Sequence, residues 1–511
     1  MGAYTIMLQG TSSHVGKSVL CTALCRIFFQ DGFRTAPFKA QNMALNSCIT
    51  PDGGEIGRAQ GVQAEAARIE PTVYMNPILL KPKEDMCAQV INMGKPLADM
   101  SAREYRDNYL PQAADLVSAC IDRLKNEYEV VVIEGAGSPA EVNLKDRDIV
   151  NMKTAELAEA PVILVADIDR GGVFASLIGT LELLEAHERE RVKGFIINKF
   201  RGDISLLTPG LTFLEERTGI PVLGVIPYIH DHGIEEEDSV WLDQMQARGE
   251  TDAGLKIAVI QLPRISNFTD IDPFLNLPDT EVRFVKKGEK IGDADIIIIP
   301  GTKNSILDLL YLKEQGYDKE IRALAGKNKY IAGICGGYQM LGHKLLDPTG
   351  TEADRGSQEG LGLLPCTTIY QTEKSTHRIE AEIISSSGFW PELHGIKIRG
   401  YEIHSGKTES APDDNSLMKI TARSGQKTEL RDGSVSPDGR IFGTHMHGFF
   451  DNPAILLAFI NAVRKEKGIG LLQTADLIIN QKEQSFENLA AIVRSSLDME
   501  KLYRIMNIKA S

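Results

Sequence analysis

The sequence predicts an α/β protein with two parallel-sheet units in one chain and a helical tail. Short apolar runs rich in Val and Ile alternate with helical stretches along most of the 511 residues. An acidic stretch without an apolar pattern interrupts this alternation near the middle of the chain, and the last residues carry apolar side chains at helical spacing. Apolar runs this continuous are typical of strands that helices cover on both faces, as in parallel sheets.

The first unit is predicted from five strand-length apolar runs, at residues 4–9, 130–133, 161–167, 192–198 and 221–227. Because helical stretches separate them, these strands are expected to be parallel, with right-handed crossovers. We predict a first domain over residues 1–232. The acidic stretch that follows, residues 233–254, has no repeating apolar pattern and is predicted to be a surface linker.

A second series of apolar runs, at residues 255–262, 295–300, 330–335 and 441–444, predicts a second α/β domain over residues 255–452. The remaining residues, 453–511, are predicted to be a helical extension. One apolar helix face is approximated there by Leu489, Ile492, Val493, Leu497, Leu502 and Ile505.

Charge and cysteine usage argue against several classes of function. Lys plus Arg number 56 and Asp plus Glu number 70, a net charge of −14, whereas nucleic-acid binders usually carry a basic surplus. No run approaches the roughly 18–20 apolar residues of a membrane-spanning helix, and the N-terminus lacks the basic start of a signal peptide. The seven cysteines form no CxxC pair. We therefore expect reduced thiols, a cytoplasmic location, and neither a nucleic acid nor a membrane as partner.

The first predicted strand leads directly into GTSSHVGKS, residues 10–18, and a helical stretch follows. A glycine-rich turn between a strand and a helix points backbone N–H groups at phosphate oxygens. Gly10, Thr11 and Gly16 would form this cradle. Lys17 would reach the outer phosphates, and Ser18 would bind Mg²⁺ through its hydroxyl. The motif predicts an ATP site, with an ordinary tight turn as the alternative.

A carboxylate is expected beside this loop. Glu134 follows the strand at residues 130–133, and ligands of open α/β sheets bind at the carboxyl ends of the strands. Because Mg²⁺ binds one or two carboxylates together with phosphates, we interpret Glu134 as a metal ligand, with a helix cap as the alternative. Asp167 and Asp169 end another strand at the same edge and are further candidates.

A thiol site is predicted in the second unit. Residues 333–337 read GICGG, so an apolar strand ends at Cys335 and a helix follows at once. This is the pattern of a nucleophile on a sharp strand-to-helix turn. The helix N-terminus would lower the pKa of the thiol, and the N–H of Gly336 could bind an oxyanion. Gly301, at the end of another strand, is a candidate for the second oxyanion donor.

Two histidines are candidates for the base that a thiolate nucleophile needs. His445 and His447 follow the strand at residues 441–444, and strand alternation would place both imidazoles on one face. A His-x-His pair is also compatible with a metal site, as are His230 and His232 near the linker, although neither pair has a convincing third ligand.

An ATP site and a thiol site in one chain suggest a particular chemistry. A thiolate that attacks the amide of glutamine releases ammonia through a covalent thioester. Phosphorylation of a carboxylate by ATP creates a good leaving group, which ammonia then displaces. The two sites together therefore predict the amidation of a carboxylate.

The chain resembles the cobyric acid synthase family, the glutamine-dependent amidotransferases of cobalamin biosynthesis, from residue 4 to about residue 452. Besides GTSSHVGKS, the motifs that carry this resemblance include FKAQNMALNS (38–47), GEIGRAQGVQAEAA (54–67), MNPILLKP (75–82), IDRGGVFAS (168–176), PGTKNS (300–305), RGYEIHSGKT (399–408) and GTHMHGFFD (443–451). The resemblance implies a P-loop NTPase-like first domain, similar to dethiobiotin synthetases. It also implies a second domain like the class I glutamine amidotransferases.

The resemblance further implies a reaction. The b, d, e and g carboxylates of adenosylcobyrinic acid a,c-diamide would be amidated to give adenosylcobyric acid. Glutamine would be the nitrogen donor, and one ATP would be used per amide, with Mg²⁺ as the metal.

The resemblance also assigns residues. Cys335 resembles the family's nucleophile and His447 its base, within the family pattern Gly-Thr-Tyr-x-His-Gly, in which His445 replaces the tyrosine. Triad amidotransferases usually place Glu two residues after this histidine, where the chain has Phe449, so the group that orients the imidazole is not identified. Related synthetases imply that Lys39 lies near the reacting carboxylate.

Three other functions fit parts of this pattern. The a,c-diamide synthase of the same pathway performs the same chemistry on other carboxylates, although the segment at residues 41–43, QNM, argues against it. A partitioning-type ATPase has a related nucleotide site but needs no thiol site. An enzyme that uses only free ammonia would be indifferent to glutamine.

Overall fold

The computed structural model describes residues 2–84, 87–145, 148–230, 232–235, 253–353, 355–410, 416–477 and 481–508. The chain forms two compact units. The first unit comprises Met1–Ala44, Glu55–Glu235 and Asn480–Ser511, and the second unit comprises Leu45–Gly54 and Glu236–Ile479. The segment Leu45–Gly54 thus belongs to the second unit, although its neighbours in sequence on both sides belong to the first.

Twelve strands and eight α-helices lie in the described residues up to residue 235. The strands are β1 (Tyr4–Gly10), β2 (Thr35–Phe38), β3 (Gln41–Met43), β4 (Ser47–Ile49), β5 (Glu55–Gly57), β6 (Ile78–Glu84), β7 (Cys87–Asn92), β8 (Lys95–Ser101), β9 (Val130–Glu134), β10 (Val162–Asp167), β11 (Val192–Phe200) and β12 (Val222–Pro227). The helices are α1 (Lys17–Gln30), α2 (Arg58–Ala66), α3 (Ala102–Glu104), α4 (Leu110–Glu127), α5 (Met152–Leu157), α6 (Val173–Leu183), α7 (Ala186–Arg189) and α8 (Ile204–Thr218).

The main sheet of the first unit has six parallel strands in the order β12-β11-β10-β1-β9-β2. Five of them lie within two residues of the predicted apolar runs, so the prediction of a buried parallel sheet is confirmed. A hydrophobic cluster covers each face of this sheet. Neighbouring residues of β1 point to opposite faces, and Met7 belongs to one cluster whereas Leu8 belongs to the other. β1 lies between β10 and β9, so the loop after β1 stands at the centre of the carboxyl edge.

A smaller sheet in the same unit, β3-β6-β7-β8, was not predicted from the sequence. Its edge strand β8 is largely exposed and contains Lys, Pro and Asp rather than an apolar run. Exposed edge strands lack the buried pattern that makes a strand recognisable in a sequence.

The described residues of the second unit beyond residue 253 contain thirteen strands. They are β13 (Leu255–Ile260), β14 (Thr280–Val285), β15 (Ile296–Ile299), β16 (Tyr330–Ile334), β17 (Lys344–Leu346), β18 (Gln358–Glu359), β19 (Cys366–Ile383), β20 (Lys397–Ser410), β21 (Met418–Arg423), β22 (Gln426–Asp432), β23 (Ser434–Val435), β24 (Ile441–Thr444) and β25 (Met446–His447). The helices are α9 (Asp272–Leu275), α10 (Ser305–Gln315), α11 (Tyr317–Ala325), α12 (Gly336–Leu341) and α13 (Pro453–Lys467).

The second unit has a sheet in the order β14-β13-β15-β16-β24-β23, parallel except for β23. β13, β15, β16 and β24 lie at the predicted apolar runs. A second sheet, β18-β17-β19-β20-β25, with β21 and β22 attached through β19, was not predicted. The long strands β19 and β20 alternate polar and apolar residues irregularly, since much of their surface is only half-buried.

The last residues are divided between the units. α13 belongs to the second unit, whereas α14 (Gln481–Ser496) and α15 (Met499–Ile505) belong to the first. Leu489, Val493 and Leu502 of the predicted apolar face are buried in the cluster that also contains α1.

The predicted linker at residues 233–254 lies mostly outside the described residues, which resume at residue 253. The predicted boundaries at residues 232, 254 and 452 stay predictions. Among the described helices, none combines the length and the apolar character that crossing a bilayer requires.

Candidate active sites

The loop between β1 and α1 is a glycine-containing turn that connects a strand directly to a helix. Gly16, the residue before α1, has a left-handed φ of 96°. A Cβ atom at Gly16 would lie 2.2 Å from Nδ2 of Asn198, whose amide donates to the carbonyl of Val15 at 2.8 Å. Both the backbone conformation and this close neighbour therefore require glycine here.

Lys17 is folded over this loop. Its Nζ donates to the carbonyl oxygens of Ser12 at 3.0 Å and Gly137 at 3.2 Å. A Cβ atom at Gly10 would lie 2.6 Å from this Nζ, so glycine leaves room for the ammonium. Thr11 donates its backbone N–H to Val165 on the neighbouring strand at 3.0 Å. The loop thus holds a positive charge at the carboxyl edge of the sheet, where a phosphate is expected.

Glu134 is the centre of a buried polar cluster beside the loop. Its Oε1 accepts from Ser18 Oγ at 2.8 Å and from Lys39 Nζ at 2.7 Å, and its Oε2 accepts from Gln63 Nε2 at 2.6 Å. Burial by itself would raise the pKa of Glu134, but the Lys39 ammonium and these hydrogen bonds lower it below its usual range. Glu134 is therefore ionised at neutral pH.

Gln63 is a member of this cluster that the sequence analysis missed. Its side chain is fully buried, and its Oε1 has no hydrogen-bond partner among the described residues. A buried amide oxygen without a donor is costly unless a cation or a ligand donor occupies it. The only signal in the sequence was the motif at residues 54–67, which gave no role to Gln63.

Ser18, Glu134 and Gln63 carry oxygen atoms of the kind that Mg²⁺ binds. This ion prefers oxygen ligands and usually keeps phosphate and water among them, so it does not need a cage of carboxylates. The described residues contain no group of three or more His, Cys, Asp or Glu that could hold a metal.

The two other predicted acids are paired with cations. Asp167 Oδ2 accepts from Lys199 Nζ at 2.9 Å, and Asp169 Oδ1 accepts from Arg201 Nε at 2.9 Å. Lys199 Nζ also donates to the carbonyl of His14 at 2.7 Å. Asp167 thus anchors the phosphate loop through Lys199.

In the second unit, Cys335 stands on the predicted turn between β16 and α12. Its φ of 50° and ψ of −107° are unusual for a residue with a side chain, and such strain is typical of functional sites. A Cβ atom at Gly337 would lie 1.9 Å from the carbonyl of Ile299, so the turn needs glycine after the thiol. The Cys335 side chain is buried, and its Sγ lies 3.4 Å from the carbonyl oxygen of Ile403.

His447 is fully buried, and Asp270 orients it. Its Nδ1 lies 2.7 Å from Asp270 Oδ2, and the N–H of Gly448 donates to Asp270 Oδ1 at 2.7 Å. Burial would lower the pKa of His447, but the Asp270 carboxylate and the Cys335 sulfur raise it to about 10. Thiol, imidazole and carboxylate therefore form one interacting set, in which a thiolate can face an imidazolium.

Gly301 lies beside Cys335 and His447. A Cβ atom on it would be 2.9 Å from His447 Cε1 and 3.8 Å from Cys335 Cβ. A Cβ atom at Gly336, directly after the thiol, would lie 2.6 Å from Thr302 Cγ2. The structure thus brings Cys335, His447, Gly301 and Gly336 together, and backbone near a thiolate can stabilise an oxyanion.

Asp270 is the orienting residue that sequence reasoning did not identify. It lies 177 positions before His447 in the chain, in a 3₁₀ turn at Phe268–Ile271. The sequence around His447 could not indicate Asp270. Triad amidotransferases usually have Glu two residues after this histidine, and the chain has Phe449 there.

His445 is placed differently from the prediction. Its Nδ1 lies 2.7 Å from Asp432 Oδ1, its Nε2 lies 3.1 Å from Thr408 Oγ1, and its ring stacks on His404 at 4.1 Å. Strand alternation does not relate His445 to His447, because the chain changes sheets between β24 and β25. His445 is therefore held by Asp432 and His447 by Asp270.

The histidines near the predicted linker have other neighbours. His230 Nε2 lies 3.4 Å from Arg201 Nη1, and His232 Nδ1 accepts from the N–H of Ile234 at 3.1 Å. An arginine beside His230 disfavours a cation at that position.

Comparisons with known proteins match both halves of the chain. The family described as the CobQ/CobB/MinD/ParA nucleotide binding domain matches residues 6–238. The family described as the CobB/CobQ-like glutamine amidotransferase domain matches residues 256–455. Each match contains one of the two candidate sites.

Three relatives that match over nearly the whole chain are each named cobyric acid synthase. The protein of Desulforamulus reducens is 60% identical, over 99% of this chain and 98% of its own length. That of Dehalococcoides mccartyi is 52% identical, over 99% of both chains. That of a Thermoanaerobacter species is 51% identical, also over 99% of both chains.

Proposed function

Since the chain belongs to the cobyric acid synthase family, we propose that it converts adenosylcobyrinic acid a,c-diamide into adenosylcobyric acid. It is a glutamine-dependent amidating ligase of the cobalamin pathway, with a nucleotide-binding domain. The finer proposal is that the b, d, e and g carboxylates are amidated, each activated by phosphorylation at the expense of one ATP.

Ammonia is released from glutamine in the second unit. The Cys335 thiolate attacks the carboxamide carbon, and the oxyanion that forms is bound by the backbone N–H groups of Gly301 and Gly336. When the C–N bond breaks, the His447 imidazolium gives its proton to the leaving ammonia, and a thioester remains. Water then attacks the thioester with His447 as base, which yields glutamate and restores the thiolate–imidazolium pair.

Asp270 acts through His447. Its hydrogen bond to Nδ1 fixes the ring so that Nε2 is the nitrogen that exchanges protons, and its charge stabilises the imidazolium. The interaction of Asp270, His447 and Cys335 is the observation that carries the proposal, because a nucleotide-binding switch alone would not need it.

The carboxylate is activated in the first unit. Its oxygen attacks the γ-phosphorus of ATP, ADP leaves, and an acyl phosphate forms. Lys17 would balance the charge on the transferred phosphate, and Lys39 would hold the reacting carboxylate. Ammonia then attacks the acyl carbon, phosphate leaves, and the amide remains.

Ser18, Glu134 and the unpartnered carbonyl of Gln63 would hold Mg²⁺. When bound, Mg²⁺ supplies positive charge that offsets the charge of the phosphates. We expect the whole reaction to take place in the cytoplasm.

Two nitrogen donors test the proposal. Cys335→Ala should abolish amidation with glutamine, whereas ammonium salts should still support it, because the activation site lies in the other unit. The products are counted by mass spectrometry of the corrinoid. Cys366→Ala, a matched variant of another buried cysteine in the second unit, should retain both activities. Release of glutamate from glutamine by Cys335→Ala would contradict the proposal.

A further inference from the structure

One face of the small sheet β3-β6-β7-β8 is only partly covered. Gln41 and Met43 of β3 lie opposite Ile78 and Leu80 of β6, and residues that lie opposite one another in a pleated sheet share a face. Ile78 and Leu80 are buried in a hydrophobic cluster of the first unit, whereas Met43 is 57% exposed. The apolar face of the sheet therefore continues beyond its buried part into solvent.

Two tyrosines extend this face. They lie at the two ends of a π-helical turn, Tyr105–Tyr109, and their rings stack with centroids 5.2 Å apart. Both tyrosines and Met100 of β8 are half-buried and pack against the same hydrophobic cluster. We call Met43, Met100, Tyr105 and Tyr109 the apolar platform. Single π-helical turns are frequent at functional sites, and contiguous apolar surface left open on a protein often marks a binding site.

The platform carries two polar groups that can still bind a ligand. The Tyr105 hydroxyl donates to Gln41 Oε1, which leaves the NH₂ group of this amide on the other side. Among the described residues, the Gln41 side chain makes no other hydrogen bond. The Tyr109 hydroxyl is covered by neighbouring atoms and has no partner within the part of the chain that the structure describes. A covered hydroxyl without a partner is costly, so a ligand that supplies one gains affinity.

Lys39 is fixed to the same sheet. Asn76 Nδ2 donates to the carbonyl oxygens of Lys39 at 2.9 Å and of Ile78 at 3.1 Å, so the start of β6 holds Lys39 in place. Met43 lies four residues after Lys39, at most about 13 Å along an extended chain. A large ligand whose carboxylate lies at Lys39 therefore has the platform within reach of the rest of its structure.

We propose that the apolar platform binds one face of the corrin ring of the substrate, while Lys39 holds the carboxylate that reacts. The inference rests on the proposed function and adds the residues that bind its substrate. A corrin ring has largely apolar faces and a rim of amides and carboxylates. An apolar surface with a few polar groups at its edge is complementary to this distribution. The NH₂ group of Gln41 and the hydroxyl of Tyr109 donate to oxygen atoms of the rim.

An apolar platform also meets a requirement of the proposed reaction. Carboxylates at different positions of the rim, b, d, e and g, have to reach the same Lys39, so the ring must bind in more than one orientation. Hydrophobic contacts are non-directional, and the rim presents an amide or carboxylate oxygen in each orientation. One platform can therefore hold the ring during each of the amidations.

Equilibrium dialysis of the full-length protein with adenosylcobyrinic acid a,c-diamide tests the platform, with the visible absorbance of the corrinoid as the signal. Met43→Ser should raise the Kd about 10-fold, because it removes apolar area from the contact. Leu183→Ser is the matched control, since Leu183 is 51% exposed and lies on α6. This variant should bind the corrinoid as the wild type does. An unchanged Kd in Met43→Ser would overturn the inference.

Tyr109→Phe tests the hydroxyl alone, because the ring remains. The KM for the corrinoid should rise about 3- to 10-fold, the usual worth of one hydrogen bond, whereas the KM for ATP should not change. A merely structural role of the hydroxyl would not separate the two substrates in this way. Tyr128→Phe, at another half-buried tyrosine of the first unit, should leave both values at the wild-type level. An unchanged KM for the corrinoid in Tyr109→Phe would contradict the proposed bond.

The possible failures are distinguishable. If the platform is a contact between two copies of the chain, Met43→Ser will change the sedimentation coefficient and leave the Kd for the corrinoid unaltered, which overturns the inference. A wild type that binds the corrinoid but does not amidate it would refute the proposed function and leave the platform standing. A wild type that binds no corrinoid would refute both.

Discussion

Both ring nitrogens of His447 have neighbours from one segment that lies far from it in the sequence. Asp270 holds Nδ1, and Asn267 approaches Nε2. The side chain is fully buried, so its protonation depends on these neighbours rather than on solvent. The proposed thiolate–imidazolium pair therefore depends on Asp270.

Asp270→Asn tests this dependence. The substitution removes a charge that raises the pKa of His447 to about 10, so the alkaline limb of glutamine hydrolysis should move from near that pH toward the ordinary value of about 6.5. The maximal rate should fall by about 10²- to 10⁴-fold, the usual contribution of a positioned acid–base group. A pH–rate profile of glutamate release measures both effects, and an unchanged alkaline limb would contradict the role of Asp270.

The same pair links pH to stability. The pKa of His447 is higher in the folded state than in the unfolded chain, so its stabilising contribution is complete below about pH 6.5 and is lost as the pH rises through about 10. The difference in thermal midpoint between the wild type and Asp270→Asn should therefore shrink over that interval.

At the proposed ATP site, Gln63→Leu tests the unpartnered amide oxygen. Loss of this oxygen and of the bond to Glu134 should weaken Mg²⁺ binding by about 10- to 100-fold, as is usual for groups that support metal ligands. Calorimetric titration with MgCl₂ in the presence of a non-hydrolysable ATP analogue measures this directly. Gln112→Leu, at an exposed position of α4, is the matched control. Equal affinities in the two variants would show that Gln63 has no part in the metal site.

At the scale of elements, the loops that follow neighbouring strands build the thiol site together. The N–H of Ser266, in the loop after β13, donates to the carbonyl of Gly301, in the loop after β15, at 2.9 Å. Cys335 follows β16, the next strand of the same sheet. Adjacent parallel strands thus deliver three loops to one edge, as open α/β sheets usually do.

Gly301→Ala should disturb this arrangement. The added Cβ atom would stand 2.9 Å from His447 Cε1 and 3.0 Å from the carbonyl of Ser266, so the imidazole must move. A displacement of about 1 Å in such a site can reduce the rate about 10²-fold. Gly326→Ala, where the nearest atoms lie at 3.6 Å and φ is −64°, should retain full hydrolysis. The rates of glutamine hydrolysis compare the two variants, and equal rates would refute the crowding argument.

The predictability of an element depended on its burial. β9 reads as an unbroken apolar run because helices cover both of its faces, and it was predicted within one residue. β8 and β19 belong to sheets with exposed or half-buried faces, and their mixed composition gave no comparable signal.

At the scale of the whole molecule, the two C-terminal helices α14 and α15 share a hydrophobic cluster with the first helix, α1. α14 and α15 pack into the hydrophobic cluster of α1, and Leu497 bridges to Gly224 of β12. This bridge partly covers the exposed edge of the six-stranded sheet. α14 and α15 therefore contribute to the stability of the nucleotide-binding unit.

Leu489→Ala tests this contribution. The side chain is buried, so its truncation should destabilise the first unit by about 2–5 kcal/mol, the usual cost of a large-to-small change in a core. Urea titration of nucleotide binding should show an earlier midpoint, whereas glutamine hydrolysis in the second unit should persist to the wild-type concentration. Leu471→Ala, at a half-exposed position, should change neither midpoint. An equal shift of both midpoints would mean that the tail stabilises the two units alike.

The sequence by itself determined the features that are local in the chain. The phosphate loop and the Cys335 turn each consist of a strand, a glycine turn and a helix that follow one another directly in the chain, so spacing and residue type suffice to predict them. The apolar runs of the parallel sheets are local for the same reason.

Only the tertiary structure decided which side chains complete the two sites. Asp270 contacts His447 across 177 positions, and Gln63 contacts Glu134 across 71. The membership of Leu45–Gly54 in the second unit is likewise a matter of packing. Such contacts depend on how the strands and helices are placed in space, and one sequence carries no periodic pattern that specifies them.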